Sequence, residues 1–175
     1  MERETLATLP NLISLSRLGL AAAFVVFKGT NARLLVIAAA GATDFLDGYL
    51  ARRGGTVSKW GALIDPIADR FFVFSAVCAL LFDDVISTWQ YAILISRDFM
   101  TAIGFLTARV IPWLRSVRFK SRIIGKTVTV MQLVTLAVVF VAPQLLNFAL
   151  ALVGAASLVS IGDYTLALWH ARERA

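Results

Sequence analysis

Four aspartates stand in two of the most apolar stretches of the chain, within the segment TDFLDGYLARRGGTVSKWGALIDPIADRFF. Asp44 and Asp47 are three residues apart, and Asp65 and Asp69 are four residues apart. On helices, each spacing places the two carboxylates on one face. Carboxylates that converge repel one another unless they are protonated or bridged by cations, and hard oxygen ligands suit Mg²⁺ or Mn²⁺. The segment therefore predicts a divalent-metal site.

Small residues and one cation surround these carboxylates. Gly48, Ala51 and Gly61 remove side chains from the helix faces beside the aspartates, which leaves space for a flat ligand such as a nucleobase. Small residues in a membrane helix also permit close helix packing, so this space has a purely structural explanation as well. Arg52 lies about two helical turns from Asp44, within reach of a phosphate group. The surroundings favour a nucleotide or phosphate ligand.

The composition is that of a membrane protein. Of the 175 residues, 59% are hydrophobic and 16% are charged, and the mean hydropathy is +0.79. A soluble domain is usually about half apolar and a quarter charged. Apolar stretches of about 20 residues recur, the length that crosses a bilayer core of about 30 Å. We therefore predict one all-α membrane domain over residues 1–175, with six transmembrane helices at 9–27, 32–52, 61–82, 88–110, 123–142 and 145–169.

The distribution of basic residues predicts the orientation of these helices. Six spans put both termini on one side of the membrane, and that side would hold twelve lysines and arginines. Only Lys28 and Arg33, beside Asp83 and Asp84, would lie on the other side. Because cytoplasmic loops are enriched in basic residues, both termini and the aspartate site are predicted to be cytoplasmic, in a bacterial-type inner membrane. The net charge of +6 then reflects orientation and contacts with anionic lipid headgroups, with no nucleic-acid partner.

Aspartates raise the free energy of inserting a helix into a membrane. Helices whose only role is to span the membrane would therefore not be expected to contain four of them. A charged side chain at the bilayer centre costs roughly 2.5–3.5 kcal/mol on the insertion scale. Arg52 and Arg70 could each pair with one aspartate, but two anions would remain. Pro66, directly after Asp65, is expected to disrupt its helix and to free backbone groups toward the site. These observations strengthen the metal-site hypothesis.

With this pattern the chain resembles the CDP-alcohol phosphatidyltransferase family. Every element of the family signature is present at its spacing, in the order Asp44-x2-Asp47-Gly48-x2-Ala51-Arg52-x8-Gly61-x3-Asp65-x3-Asp69. The segment LPNLISLSR (9–17) resembles the opening of the family's first helix. The resemblance covers nearly the whole chain and implies a six-helix membrane domain with the signature on helices two and three.

The resemblance also implies a reaction, in which CDP-diacylglycerol gives its phosphatidyl group to an alcohol and CMP leaves. Two divalent cations, Mg²⁺ or Mn²⁺, would neutralise the diphosphate and align the reacting groups. The implied metal ligands are Asp44, Asp47, Asp65 and Asp69, and Asp69 is also the implied catalytic base. The implied CDP-binding residues are Gly48, Ala51, Arg52 and Gly61. The resemblance further implies a homodimer.

The acceptor alcohol is predicted from a basic cluster and two further stretches. The cluster comprises Arg115, Arg118, Lys120, Arg122 and Lys126, and we expect Arg118, Arg122 and Lys126 to bind the acceptor phosphate. The positive-inside bias alone is a competing explanation of this cluster. The stretches ISRDFM (95–100) and FKSRIIGKTVTVMQ (119–132) resemble the CMP-forming cardiolipin synthase branch, which favours phosphatidylglycerol as acceptor. Glycerol 3-phosphate is the alternative, although that branch usually has Arg-Glu where this chain has Arg-Asp.

A divalent-cation transporter is the alternative from a different class, since such proteins also carry intramembrane carboxylates. It would leave Arg52 and the small-residue faces unexplained. Arg97 and Asp98 form a separate polar pair of positions on the fourth helix. Because adjacent helical residues do not face one another, we expect each to have a partner elsewhere, with Asp163 as one candidate for an arginine.

Overall fold

The computed structural model describes the backbone of residues 9–54, 61–110 and 123–172, and side chains within 16–46, 70–103, 127–163 and 165–166. In these ranges all regular structure is helical, which confirms the predicted all-α class and six long helices. They are α1 (Leu9–Val26), α2 (Thr30–Gly54), α3 (Gly61–Phe82), α4 (Thr88–Val110), α5 (Ile123–Val141) and α6 (Leu146–Arg172), with a 3-10 turn at Pro143–Leu145. Every predicted boundary lies within three residues of the observed one.

The chain divides into two compact units, of which the first ends at Val85. In this unit α1 packs against both α2 and α3. The rings of Phe24 and Phe72 meet edge to face in its core, with centroids 6.3 Å apart and planes at 77°. This geometry aligns the positive edge of one ring with the negative face of the other and stabilises the contact between α1 and α3. The core therefore holds the two helices that carry the aspartates around α1.

A tight backbone turn ends α3 and directs the chain into the following loop. The Val85 N–H donates to the Leu80 carbonyl at 2.9 Å, and the Asp84 N–H donates to the Leu81 carbonyl at 3.1 Å. Asp84 adopts a positive φ of 56°. Glycine usually occupies this position of a Schellman motif, but aspartate tolerates the left-handed region better than most residues. The turn fixes Asp83 at the end of the helix.

The second unit begins at Ile86 and contains the other three helices. In it, α4 and α5 both pack against α6. Leu94, Leu136, Leu150 and Val153 are among its fully buried core residues. Pro143 starts the 3-10 turn that links α5 to α6, where its missing N–H would have no helical acceptor in any case. The short link makes α5 and α6 antiparallel neighbours.

Within the described residues, one helical segment is long and apolar enough to cross a membrane, the 21-residue stretch Pro143–Asp163. Three further apolar segments are shorter, at Ser16–Val26, Arg70–Phe82 and Thr127–Val141. Charged side chains interrupt the apolar character of α2 and α4. The helix count is confirmed for the described residues, whereas the membrane crossing of each helix and the side of each terminus stay predictions.

The expected break at Pro66 is wrong, because α3 is a continuous helix from Gly61 to Phe82. Proline removes one N–H donor and crowds the carbonyl four residues earlier. Pro66 is the sixth residue of α3, so only one intrahelical bond near the helix start is lost. The many apolar contacts of the rest of α3 outweigh that loss.

Candidate functional site

The predicted aspartates lie on two consecutive helices that are joined by six residues, 55–60. Asp44 and Asp47 belong to the second half of α2, and Asp65 and Asp69 belong to the first half of α3. All four positions therefore lie toward the ends of the helices that face the 55–60 link. The expected helical setting of the signature is confirmed.

The opposite ends of these helices are joined by a network that we call the basic clamp, formed by Lys28, Arg33 and Asp83. Lys28 Nζ donates to Asp83 Oδ1 at 2.6 Å, and Arg33 Nη2 donates to Asp83 Oδ2. The Arg33 Nε also donates to the Phe27 and Phe24 carbonyls at 2.8 and 3.3 Å, and its guanidinium lies 4.9 Å from the centre of the Phe24 ring. A cation at a helix C-terminus is favoured by the helix dipole, so Arg33 binds the end of α1 as well.

The hydrogen bonds of the basic clamp also fix the charge of Asp83. Those from Lys28 and then from Arg33 are the largest influences, and they hold the pKa of the Asp83 carboxyl below its ordinary value. Asp83 thus stays ionised and paired at neutral pH. The prediction that Lys28 and Arg33 lie beside Asp83, at one end of the helices, is confirmed.

Distances along the helices give the depth of each aspartate relative to the basic clamp. Asp44 and Asp47 lie 11 and 14 residues after the clamp arginine, or about 16 and 21 Å at 1.5 Å per residue. Asp69 and Asp65 lie 14 and 18 residues before the clamp aspartate, or about 21 and 27 Å. Because the clamp joins the start of α2 to the end of α3, the two helices run antiparallel from it. Convergence of the four aspartates on one site stays a prediction.

The Asp44 side chain is held by an arginine that sequence analysis did not assign to the site. Arg17 Nη1, on α1, donates to Asp44 Oδ1 at 3.2 Å. The Arg17 side chain is 2% exposed, whereas that of Asp44 is 40% exposed. Among the side chains that the structure describes, Arg17 is the one recorded as hydrogen-bonded to the Asp44 carboxylate. The available signal was a lone arginine in an otherwise apolar first helix.

The side chains of Asp47, Asp65 and Asp69 lie outside the described residues, and so do those of Ala51, Arg52 and Lys126. For these residues, as for Gly48 and Gly61, the structure gives the helical backbone alone. Arg118 and Arg122 lie wholly outside the described ranges. Among the described side chains no group of three or more acidic, histidine or cysteine residues could hold a metal. The metal, CDP and acceptor sites therefore stay predictions.

A separate polar cluster lies inside the second unit, and it corrects one expectation. Arg97 Nη1 donates to Asp98 Oδ1 at 2.9 Å, although the residues are adjacent on α4. Gln132 Nε2, on α5, donates to Asp98 Oδ2 at 2.8 Å and to the Leu94 carbonyl at 2.6 Å. The expectation of a partner elsewhere is wrong for Arg97, whose long side chain folds back onto its neighbour, and it is confirmed for Asp98, which also accepts from Gln132 on α5. The cluster joins α4 to α5.

The buried serines of α6 complete the polar content of the second unit. Ser157 and Ser160 are almost fully buried, and neither hydroxyl has a hydrogen-bond partner among the described residues. Both lie beyond Gly154, at which a Cβ would meet Ile93 Cγ2 at 3.6 Å. At this contact α4 and α6 pack closely, and the serine positions follow within two turns along α6.

Comparison with known families decides between the classes of protein that these features allow. The family model described as CDP-alcohol phosphatidyltransferase matches residues 7–162. The chain belongs to the CDP-alcohol phosphatidyltransferase family. This is a family of membrane-bound transferases, and the assignment confirms the resemblance seen in the signature.

Individual relatives carry two kinds of name. The human "Cardiolipin synthase (CMP-forming)" is 32% identical over 159 residues, which are 81% of this chain and 52% of the human protein. The Streptomyces coelicolor protein of that name is 32% identical over 112 residues, covering 59% of this chain and 52% of the relative. The Bacillus subtilis "CDP-diacylglycerol--glycerol-3-phosphate 3-phosphatidyltransferase" is 29% identical over 109 residues, covering 52% and 56%. The chain thus spans about half the length of the curated relatives it matches.

Proposed function

We propose that the protein transfers the phosphatidyl group of CDP-diacylglycerol to an alcohol and releases CMP. The observation that carries the proposal is the complete eight-residue signature, whose residues lie on α2 and α3. Family membership supports the same reaction class. A divalent-cation transporter accounts for the carboxylates alone and for neither of these findings. We propose that residues 1–175 act as one phosphatidyltransferase domain.

The donor set fits hard divalent cations. Four carboxylates supply up to eight oxygens, and Asp44 is half exposed with Arg17 contacting one of its oxygens. Asp44, Asp47, Asp65 and Asp69 would hold two Mg²⁺ or Mn²⁺ ions. When bound, such ions neutralise the diphosphate and stabilise both the attacking and the leaving oxygen. Among the described side chains, Arg17 contacts Oδ1 of Asp44 and none is recorded on Oδ2.

The remaining signature residues perform binding and proton transfer. Asp69 accepts the proton of the acceptor hydroxyl as that oxygen attacks the phosphorus atom of the phosphatidyl group. Arg52 binds the diphosphate, since a guanidinium matches phosphate geometry. Gly48, Ala51 and Gly61 leave room for the cytidine. The bond between the diphosphate bridging oxygen and the phosphatidyl phosphorus breaks, and CMP departs.

We propose phosphatidylglycerol as the acceptor, so that the lipid product is cardiolipin. Relatives named cardiolipin synthase support this choice at 32% identity over 81% of the chain. Arg118, Arg122 and Lys126 would bind the acceptor phosphate. Glycerol 3-phosphate is the second candidate, because two bacterial relatives with that substrate in their names match at 29% and 32% identity.

The setting of the reaction follows from the charge distribution. Both termini and the active site face the cytoplasm, because twelve lysines and arginines at the helix ends and in the links fall on the side of the termini and two on the other side. An active site near this face of a bacterial-type inner membrane lets soluble CMP leave while the acyl chains stay in lipid. The working form is a homodimer.

The experiment is an assay of the purified protein with CDP-diacylglycerol and each acceptor separately, in Mg²⁺ or Mn²⁺, with products identified by mass. We expect cardiolipin and CMP with phosphatidylglycerol. Product with glycerol 3-phosphate alone would establish the second candidate. If neither acceptor yields CMP and the protein does not bind CMP in the presence of metal, the phosphatidyltransferase proposal is wrong.

A further inference from the structure

The feature that the proposed function leaves unexplained is the buried cation on α1. Arg17 is 1% exposed, and its guanidinium reaches across the interface of α1 and α2 to Oδ1 of Asp44 at 3.2 Å. Burying a guanidinium removes its hydration, so it must be paired and hydrogen-bonded to be tolerated. The partner here is one of the four signature aspartates rather than a residue outside the signature.

A second buried arginine in the same unit shows what a purely structural pair looks like. Arg33 is 2% exposed and donates to the Phe24 and Phe27 carbonyls and to Asp83. Asp83 also accepts from Lys28, so each of its carboxylate oxygens has a cationic donor. Every contact that the structure records for that pair is with a protein group, and the network joins the end of α1, the start of α2 and the end of α3.

The pair formed by Arg17 and Asp44 differs because Arg17 contacts one of the two oxygens of the Asp44 carboxylate. Asp44 is 40% exposed, and Arg17 contacts Oδ1. The hydrogen bond limits rotation of the carboxylate, and no other described side chain competes for the second oxygen. The positive charge also offsets part of the repulsion among four gathered carboxylates. A ligating carboxylate that is hydrogen-bonded from behind is the usual arrangement in metal sites.

We propose that Arg17 is the positioning residue for Asp44, holding Oδ1 so that the carboxylate is ordered for a divalent cation before that cation binds. The inference rests on the proposed function of the four aspartates. It assigns Arg17 no contact with substrate and no part in proton transfer. Its effect is on the affinity for the cation, through the orientation of one ligand.

The test measures Mn²⁺ binding to the full chain in detergent, from the electron paramagnetic resonance signal of free Mn²⁺. Partners of metal ligands typically change affinity by about 10–100-fold when replaced. We expect Arg17→Ala to weaken Mn²⁺ binding within this range. Arg17→Lys should weaken it less, because lysine keeps the charge but loses the planar fork. Arg33→Lys is the matched control, a buried arginine of the same unit, and should leave Mn²⁺ affinity unchanged.

A double-mutant cycle shows whether Arg17 acts through Asp44. If it does, Asp44→Asn combined with Arg17→Lys should bind Mn²⁺ no more weakly than Asp44→Asn alone. If Arg17→Ala does not fold, Arg17→Lys and the cycle still decide the question. Unchanged or tighter Mn²⁺ binding in Arg17→Lys, with lower thermal stability, would make Arg17 a structural residue and overturn the proposal. Absence of Mn²⁺ binding in the unaltered protein would instead overturn the proposed function and this inference with it.

Discussion

The aspartates near the two ends of α2 differ in how many cationic partners they have. Asp83 lies beside the start of α2, and Asp44 lies in its second half. At the start of α2, the basic clamp gives Asp83 two cationic partners, and its side chain is 22% exposed. Toward the other end, Asp44 has one described partner, Arg17, and its side chain is 40% exposed. Buried arginines are costly unless they are paired, and Arg33 and Arg17 are both buried, so both ends solve the same physical problem. At the clamp, a cationic side chain binds each carboxylate oxygen of Asp83, whereas Arg17 binds one of the two oxygens of Asp44.

The difference indicates where a ligand can bind. Where cationic donors bind both oxygens of a carboxylate, as at Asp83, they compete with a metal for that carboxylate. A carboxylate held from one side keeps one oxygen available and is already oriented. Of the two aspartates, only Asp44 belongs to the family signature, and it is the one left partly open. The same chemical pair thus serves stability at one end of the helices and, in our proposal, catalysis at the other.

The largest expected difference between the two ends is in turnover. We expect Asp44→Asn to lower CMP release by about 10²-fold or more, because metal charge stabilisation contributes several kcal/mol to such reactions. Asp83→Asn should leave turnover of the folded protein nearly unchanged and lower its unfolding temperature. CMP release at saturating substrates and thermal unfolding in detergent measure both effects. Equal losses of turnover in the two variants would remove the functional distinction between the ends.

A second comparison separates the two cations within the clamp. Arg33→Ala removes hydrogen bonds from a buried charged donor, which typically contribute about 1.5–3 kcal/mol, and we expect a loss of unfolding free energy in that range. Lys28 is 62% exposed on its side chain, so Lys28→Ala should cost less than about 1 kcal/mol. Reversible unfolding in mixed detergent measures both. If Lys28→Ala lowers the unfolding free energy more than Arg33→Ala does, the stability of the clamp does not depend mainly on the buried Arg33.

The smallest expected effect is the acid dependence of the clamp. Because the pKa of Asp83 is lowered in the folded state, its pairing stabilises the protein fully above the unfolded pKa of about 4. This contribution is lost as the pH falls further, through the folded pKa. The difference in unfolding temperature between the unaltered protein and Asp83→Asn should therefore be constant from pH 7 to about 5. It should shrink below about pH 4, and a difference that grows on acidification would contradict the assigned shift.

Much of the fold was predictable because its signals are local. Apolar runs of helical length, bounded by turn residues such as Gly29 and Pro143, gave six helices whose observed ends differ by three residues or fewer. The meeting of Lys28 and Arg33 with Asp83 followed from the alternation of helix direction. The signature aspartates followed from their spacing and from family resemblance. None of these inferences required knowledge of which helices touch.

The features that the sequence did not predict depend on how far side chains reach, on which helices touch and on local helix energetics. The Arg17–Asp44 pair joins residues 27 positions apart on different helices, and its formation depends on how α1 packs against α2. Arg97 folds back onto Asp98, which a rule based on Cβ directions does not foresee. Pro66 is accommodated near the start of α3, where the loss of one hydrogen bond is tolerated. In the first two cases the helices were predicted correctly and the side-chain contacts were not, whereas at Pro66 the predicted break in the helix was itself wrong.

Turnover against Mg²⁺ concentration, measured for Asp69→Asn and Asp44→Asn with CMP binding alongside, distinguishes a catalytic base from a metal ligand. Asparagine keeps the size of aspartate and one oxygen, so both variants should fold. Loss of a general base costs about 10²–10⁴ in rate, and we expect Asp69→Asn to stay inactive at every Mg²⁺ concentration while it still binds CMP. Asp44→Asn, a defect in a metal ligand, should recover partly as Mg²⁺ rises. Near-normal turnover of Asp69→Asn at high Mg²⁺ would contradict the account, because Asp69 would then be a ligand and not the base.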